Sequence, residues 1–282
     1  MVTEARAYWK GHIRLSLVTF PVHLYPAITD AQKVKLHKIT KGNNERVHYQ
    51  DTTESEGAVK KQNIVKGYEY DKGHYIELDD EELKKLKVES KHTIDLVQFT
   101  DIRDIDPIYF DKPYYIVPDG ELAVEAYVTL RNALRDTKKV ALGQITINGH
   151  ERIGAIKACD KGLIMETLRY NEEVRSASKY FDDISEDVKP NKDQMDLAEQ
   201  LIKTKTGKFD PKAFKDTYQE GLMEIIQAKL AHRKVNLPKG KEPPQKVVNI
   251  MDALKRSLAE AKKKPTGTAK KKPTKKTKGK AA

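Results

Sequence analysis

A chain of 282 residues that is 38% apolar and 34% charged can bury the core of one large domain or two modest ones, while keeping a heavily charged surface. Its one cysteine, Cys159, excludes an intrachain disulfide and a thiolate metal site, which fits a reducing compartment. The formal net charge of +11 is unevenly spread: residues 262–282 hold ten lysines and no acid, residues 1–50 hold eight basic and three acidic side chains, and residues 51–200 hold 22 basic and 32 acidic ones. The N-terminal MVTEARAYWKG lacks the apolar region of a signal peptide, and no run approaches the roughly 18 apolar residues of a membrane span. A soluble, cytoplasmic chain without membrane contact is expected.

Residues 9–25 (WKGHIRLSLVTFPVHLY) alternate with period two. Trp9, Gly11, Ile13, Leu15 and Leu17 share one face of an extended strand; Lys10, His12, Arg14 and Ser16 share the other. Pro21 and Pro26 mark a sheet edge or a bend. Residues 33–39 (KVKLHKI) repeat the basic and apolar alternation, and in 43–49 Arg46 and His48 alternate with Val47 and Tyr49. Residues 50–63 are polar and turn-like. Residues 64–78 (IVKGYEYDKGHYIEL) read as two strand arms around Asp71-Lys72-Gly73.

Asp79 caps a helix running to about Lys87, with Glu82 at the capping-box position. Residues 93–99 alternate as a strand. Residues 104–119 (DIDPIYFDKPYYIVPD) read as two short strands. A helix over 121–136 places Leu122, Ala126, Tyr127, Leu130 and Leu134 on its apolar side. Residues 140–158 hold the strongest hairpin signal, Asn148-Gly149, and Asp160-Lys161-Gly162 turns the chain into LIMETLRY. Many short strands with few helices suggest an antiparallel barrel.

Beyond residue 185 the pattern becomes helical. Residues 193–205 carry Met195, Ala198, Leu201 and Ile202 on one side. Asp210-Pro211 opens a helix to about His232, with Phe214, Tyr218, Leu222, Ile225, Ile226 and Leu230 as its stripe. The expected organisation is a core over 1–185, a helical arm over 186–235, a linker over 236–246, an amphipathic helix over 247–261 and a disordered lysine-rich tail over 262–282. Val247, Met251, Leu254 and Leu258 align on the short helix, which needs a docking surface to be stable.

Catalytic signatures are sparse: there is no phosphate-binding G-x-x-x-x-G-K-[ST], no H-E-x-x-H and no G-x-S-x-G. No enzymatic activity and no cofactor are expected. Asp79-Asp80 and Asp182-Asp183 could ligate Mg²⁺, but capping accounts for the first pair. Cys159 reads as a structural thiol. Tyr109, Phe110, Tyr114 and Tyr115 either stack on bases or pack inside. The basic residues of the strand faces and their flanks (Lys10, Arg14, Lys33, Lys35, Lys38, Arg46, Lys60, Lys61 and Lys66) suit phosphate contact, and so do Lys262, Lys263, Lys264, Lys270, Lys271, Lys272, Lys275 and Lys276 of the tail. Nothing resembles a base-reading recognition helix, so nucleic-acid binding would be independent of sequence.

The chain resembles the bacterial Ku proteins, which bind DNA ends in non-homologous end joining. The resemblance rests on WKG, LV and PV.LY within 9–25, LHK at 36–38, IVKGYEY at 64–70 with Gly73, DPIYFDKPYY at 106–115, LRNALRDT at 130–137 and LRYNEEVR at 168–175. AEQLI at 198–202, KFDPKAFKDTYQEGL at 208–222 and VVNIMDALKRSL at 247–258 extend it. It implies an antiparallel β-barrel core with a helical C-terminal arm, forming a ring-shaped homodimer around double-stranded DNA ends. It also implies no enzymatic activity, an ATP-dependent DNA ligase of the ligase D type as partner, and nucleoid association. The region 186–261 would carry arm and ligase contacts, and the lysine-rich extension extra DNA binding. The chain departs from relatives in two places: QDTTESE at 50–56 lacks the Cys-x-x-Cys some carry, so that loop has no metal role, and Ser16 stands where many have glycine.

Two further readings compete with a DNA-end-binding scaffold. One is a basic-tailed architectural DNA- or RNA-binding protein without end specificity; the other is a divalent-metal nuclease built on Asp182 and Asp183.

Overall fold

The computed structural model describes residues 6–31, 33–86, 92–185, 187–235 and 250–263. The chain forms two compact units, residues 1–177 and 178–282. The first contains β1 (Trp9–Leu15), β2 (Val18–Pro26), β3 (Thr52–Thr53), β4 (Gly57–Ala58), β5 (Lys66–Asp71), β6 (His74–Leu78), α1 (Asp80–Leu86), β7 (Thr93–Asp101), β8 (Phe110–Pro118), α2 (Glu121–Thr137), β9 (Lys139–Ile147), β10 (His150–Cys159) and β11 (Gly162–Leu168).

Seven strands close a barrel in the order β1-β2-β8-β11-β10-β9-β7. Six neighbour pairs are antiparallel. The seventh, β1 with β7, is parallel and shuts the barrel, so no edge stays open to other chains. Strand alternation fills the interior: Ile13, Val22, Leu24, Ile94, Ile116, Ile145, Ile156, Leu163 and Met165 are fully buried. Each stabilises the fold by about 1.5–3 kcal/mol relative to exposure. Trp9 joins this core, and its indole Nε1 donates to the Thr146 carbonyl at 3.0 Å.

The opening stretch is a hairpin rather than one strand. Leu15 pairs with Val18, and Ser16-Leu17 forms the two-residue loop. Ser16 adopts φ 54°, a left-handed conformation that glycine takes most readily. The turn takes Leu17 off the barrel face, leaving it 98% exposed instead of buried with Trp9 and Ile13. Pro21 and Pro26 lie inside the closed sheet, because β2 pairs with β1 on one side and β8 on the other. The β9–β10 hairpin turns at Asn148 (φ 54°) and Gly149 (φ 81°), the pair of positive angles that Asn-Gly supplies.

On α2 the buried stripe is Ala123, Tyr127, Leu130 and Leu134, packed over the barrel. Leu122 lies one residue, about 100°, off that stripe and is 99% exposed. Residues 104–119 give one strand instead of two. Asp106 accepts from the Ile108 N–H at 2.9 Å and Pro107 opens a 3-10 turn, so extended pairing begins only at Phe110.

Residues 33–39 form no strand. A single bridge joins Ile39 to Arg46, and Leu36 is exposed. With only Val34 and Leu36 on its apolar side, the segment has too little to bury to recruit a partner strand. Further on, β3–β4 and β5–β6 form separate two-stranded sheets outside the barrel. The capping box at α1 is made as expected: Asp79 Oδ1 accepts from the Glu81 N–H, and Glu82 accepts from the Asp79 N–H.

The second unit holds α3 (Ser178–Phe181), α4 (Lys192–Lys205), α5 (Thr217–Leu230) and α6 (Ile250–Lys263). The single helix expected over 210–232 is split. Asp210 and Pro211 cap only a 3-10 turn, the chain extends at Phe214, and Asp216 caps α5 by accepting from the Gln219 N–H at 3.0 Å. Phe214, Tyr218 and Leu230 therefore fall outside a buried stripe, and Ala228 is the fully buried residue of α5. On α4, Met195 and Ile202 are also exposed. The short helix α6 packs along α4, with Leu258 buried and Met251 and Leu254 half-buried. Val247, the linker 236–246 and residues 264–282 lie outside the described residues.

One substitution tests barrel closure. Gly143 on β9 lies opposite the bulge of β7, where the register shifts between Leu96 and Gln98. A Cβ at Gly143 would collide with the Asp95 carbonyl oxygen and stand 3.1 Å from its carbon. Backbone cannot yield as a side-chain tip can. Gly143→Ala is expected to destabilise the fold by about 1–3 kcal/mol, read from the urea midpoint.

Candidate nucleic-acid interface

The connection from β2 to β7 is where the basic residues read from sequence accumulate. Residues 33–66 carry eight basic and four acidic side chains, whereas 67–86 carry three and seven. The connection is thus cationic in its first half and anionic in its second. Lys33 is ion-paired with Asp30 at 2.6 Å and holds that carboxyl below its usual range. Lys35 is exposed. Lys38 lies over the Tyr49 ring, 5.1 Å from its centroid. Arg46 sits at the isolated bridge, and Lys60 and Lys61 flank and open a one-turn 3-10 helix. Lys66 reaches Asp80 of α1 at 3.4 Å.

Lys10 and Arg14 lie on the outer face of β1, as alternation predicts, with Trp9 and Ile13 turned inward. Their surroundings differ. Arg14 makes a two-armed pair with Asp95, its Nη2 at 2.7 Å from Oδ2, and this hydrogen bonding raises its already high pKa. Asp95 is its register partner across the parallel β1–β7 seam, so the guanidinium helps tie the barrel shut. Lys10 has no ion pair among the described residues. Lys262 and Lys263 end α6, while Lys264, Lys270, Lys271, Lys272, Lys275 and Lys276 lie outside the described residues.

The aromatic cluster divides. Tyr114 is buried and stacks on Tyr8 at 5.4 Å; Tyr109 and Phe110 pack against the small core of Ile105, Val140, Ala155 and Leu168. Tyr115 alone faces out. The β5–β6 hairpin adds aromatic surface that charge counting passed over. Tyr68 pairs with Ile76, alternation puts His74 on the face of Ile76, and Tyr70, at the register shift between Glu69 and Asp71, lies beside His74 with ring centroids 6.1 Å apart. Tyr68 is 63% and Ile76 51% exposed. Alternating aromatic residues in IVKGYEY were the available signal.

Sequence reasoning also missed a cavity of about 480 Å³ on the barrel, lined by Arg6, Tyr8, Trp9, Lys10, His23 and Tyr25. His23 and Tyr25 alternate with buried Val22 and Leu24, the same signal as in β1, hidden because 9–25 was read as one strand.

Cys159 is a half-buried free thiol at the end of β10. Among the described residues, no three His, Cys, Asp or Glu side chains are placed to hold a metal ion. No helix among them is long and apolar enough to cross a membrane.

A family profile described as the Ku70/Ku80 beta-barrel domain matches residues 14–197, a span that contains all of the barrel strands except most of β1. The chain belongs to the Ku family. Proteins named non-homologous end joining protein Ku align along nearly all of it. One from a Bradyrhizobium species is 40% identical over 256 residues, covering 90% of this chain and 87% of its own. One from Acidobacterium capsulatum is 41% identical over 267 residues, covering 92% and 87%. One from Bacillus subtilis is 33% identical over 258 residues, covering 90% and 82%. Among solved structures, the SPOC domain of human PHD-finger protein 3 aligns over 58% of this chain and 95% of its own, at 11% identity and a TM-score of 0.29, too distant to carry an argument.

Proposed function

We propose that the chain is a non-enzymatic scaffold that binds double-stranded DNA ends as a homodimer, independently of sequence, and recruits a DNA ligase of the ligase D type to join them. The observation that carries this reading is the β2–β7 connection within a Ku-family barrel. Its β5–β6 sheet leaves Tyr68, Tyr70, Tyr75 and Ile76 in water. A two-stranded hairpin is marginal alone, and an apolar face on it calls for a partner surface. A second copy of the same connection supplies one, and two such connections can enclose a duplex. The cationic half, Lys33 through Lys66, then faces phosphate. Such contacts carry no sequence information and weaken steeply with salt, by roughly 0.9 in log K per log salt for each phosphate neutralised. Lys10 and the lysines of 262–282 add phosphate affinity, and residues 186–261 carry the ligase contacts.

An enclosing dimer needs an open end to thread. Linear duplex is expected to bind, and covalently closed circular duplex of equal length is not. Equal affinity for both would reject threading and favour the architectural reading. Removing residues 262–282 should weaken binding while preserving the preference for ends.

A further inference from the structure

The cavity on the outer face of β1 and β2 combines two chemistries in one small space. Its lining holds Arg6, Lys10 and His23 and no carboxylate. Asp119 approaches His23 from outside the lining, 3.2 Å from Nε2. Arg6 and Lys10 have no ion pair among the described residues.

The other lining groups are aromatic. Tyr8 is held on one side by stacking on Tyr114 at 5.4 Å and at its hydroxyl by Asn148 Nδ2 at 3.2 Å, yet stays 45% exposed. Tyr25 meets the His23 ring edge-on at 6.4 Å and 76°, and pairs in register with exposed Tyr115 of β8. A pre-positioned aromatic surface beside cations without an ion pair among the described residues suits a ligand with a flat π-face and an attached anion.

We infer that this cavity binds an unpaired nucleotide, its base on Tyr8 or Tyr25 and its phosphate between Arg6 and Lys10. A volume of about 480 Å³ matches a single nucleotide rather than a duplex. Bases inside a duplex have both faces stacked, and the terminal pair of a blunt end offers its free face only with the partner base attached. A single-stranded overhang can. The inference rests on the end-binding reading only for the source of that nucleotide, and it places single-strand capture on the barrel wall, apart from the β2–β7 connection.

Trp9 borders the cavity, but its indole is buried in the core, so occupancy is read from the ligand. The full chain is titrated into a fluorescein-labelled 5′-phosphorylated thymidine pentamer, with thymidine 5′-monophosphate as competitor, and separately into labelled blunt duplex, following anisotropy. The pentamer is expected to change anisotropy saturably. Tyr25→Leu and Arg6→Gln should each weaken the pentamer about tenfold or more, Tyr25→Phe should restore it, and blunt-duplex affinity should stay the same. Arg6 is exposed near the N-terminus, so its variant keeps the fold if Tyr25→Leu does not. No saturable change, or unchanged pentamer affinity in Arg6→Gln, overturns the inference. So does monophosphate binding as tight as the pentamer's, which would make the cavity a free-nucleotide site. Failure of blunt duplex to bind wild type would instead reject the end-binding reading and leave pentamer binding intact.

Discussion

Replacing Tyr68, Tyr70 and Ile76 together with threonine is expected to turn the proposed homodimer into a monomer and to abolish retention of linear DNA. Tyr68 and Ile76 are register partners on one face of the β5–β6 hairpin, and Tyr70, at the register shift between Glu69 and Asp71, packs beside His74 two residues from Ile76. All are more than half exposed in the single chain. Threonine keeps strand propensity, so the change removes apolar area without breaking the ladder. Each large apolar side chain contributes about 1.5–3 kcal/mol when buried, and twofold symmetry counts each substitution twice. Dimer affinity should fall by about 10³-fold or more. Sedimentation at micromolar concentration reads the mass, and anisotropy with linear duplex reads retention. A triple variant that sediments as a dimer would move the dimer contact elsewhere.

Tyr127→Phe is expected to cost about 2–4 kcal/mol, because it strips a partner from two backbone groups at once. The hydroxyl donates to the Ile116 carbonyl at 2.7 Å and accepts from the Leu163 N–H at 2.7 Å. Ile116 and Leu163 are register partners on β8 and β11, so the tyrosine bridges the ladder and pins α2 to the barrel. Burial also raises the pKa of Tyr127, and of Tyr114 and Tyr170. The folded state therefore keeps phenolic protons that the unfolded chain releases above pH of about 10. Their contribution is complete below that pH and is lost as pH rises through the folded values. Chemical denaturation between pH 8 and 11 should show wild-type stability falling, and falling less in Tyr127→Phe. An identical decline in both proteins would mean that Tyr127 does not carry the effect.

The residues behind these outcomes were unequally visible in the sequence. Asn148-Gly149, the Asp79 capping box and the buried alternation of β1 depend on neighbours a few positions apart, so local chemistry suffices to read them. Asp210, read as the N-cap of a helix, misled for the same reason: the signal is locally sound but caps only a 3-10 turn, and the helix starts at Asp216. The lysines expected to meet phosphate were visible as composition, but Lys33, Lys38 and Lys66 each engage a neighbour that charge counting does not reveal. Arg14 illustrates the limit. Alternation placed it on the outer face of β1, but its partner Asp95 lies 81 residues away on β7.

The sequence by itself determined the Ku-type character of the chain, the hairpins at Asp71-Lys72-Gly73 and Asn148-Gly149, and the cationic character of its first 50 residues and its tail. Periodicity and turn chemistry are properties of short segments. Only the tertiary structure decided that the opening stretch is a hairpin, that β1 closes on β7 in parallel, that residues 33–39 stay out of the sheet, and that Arg6, Tyr8, Lys10, His23 and Tyr25 line one cavity. Each of these depends on which surfaces are left to bury once the barrel has closed.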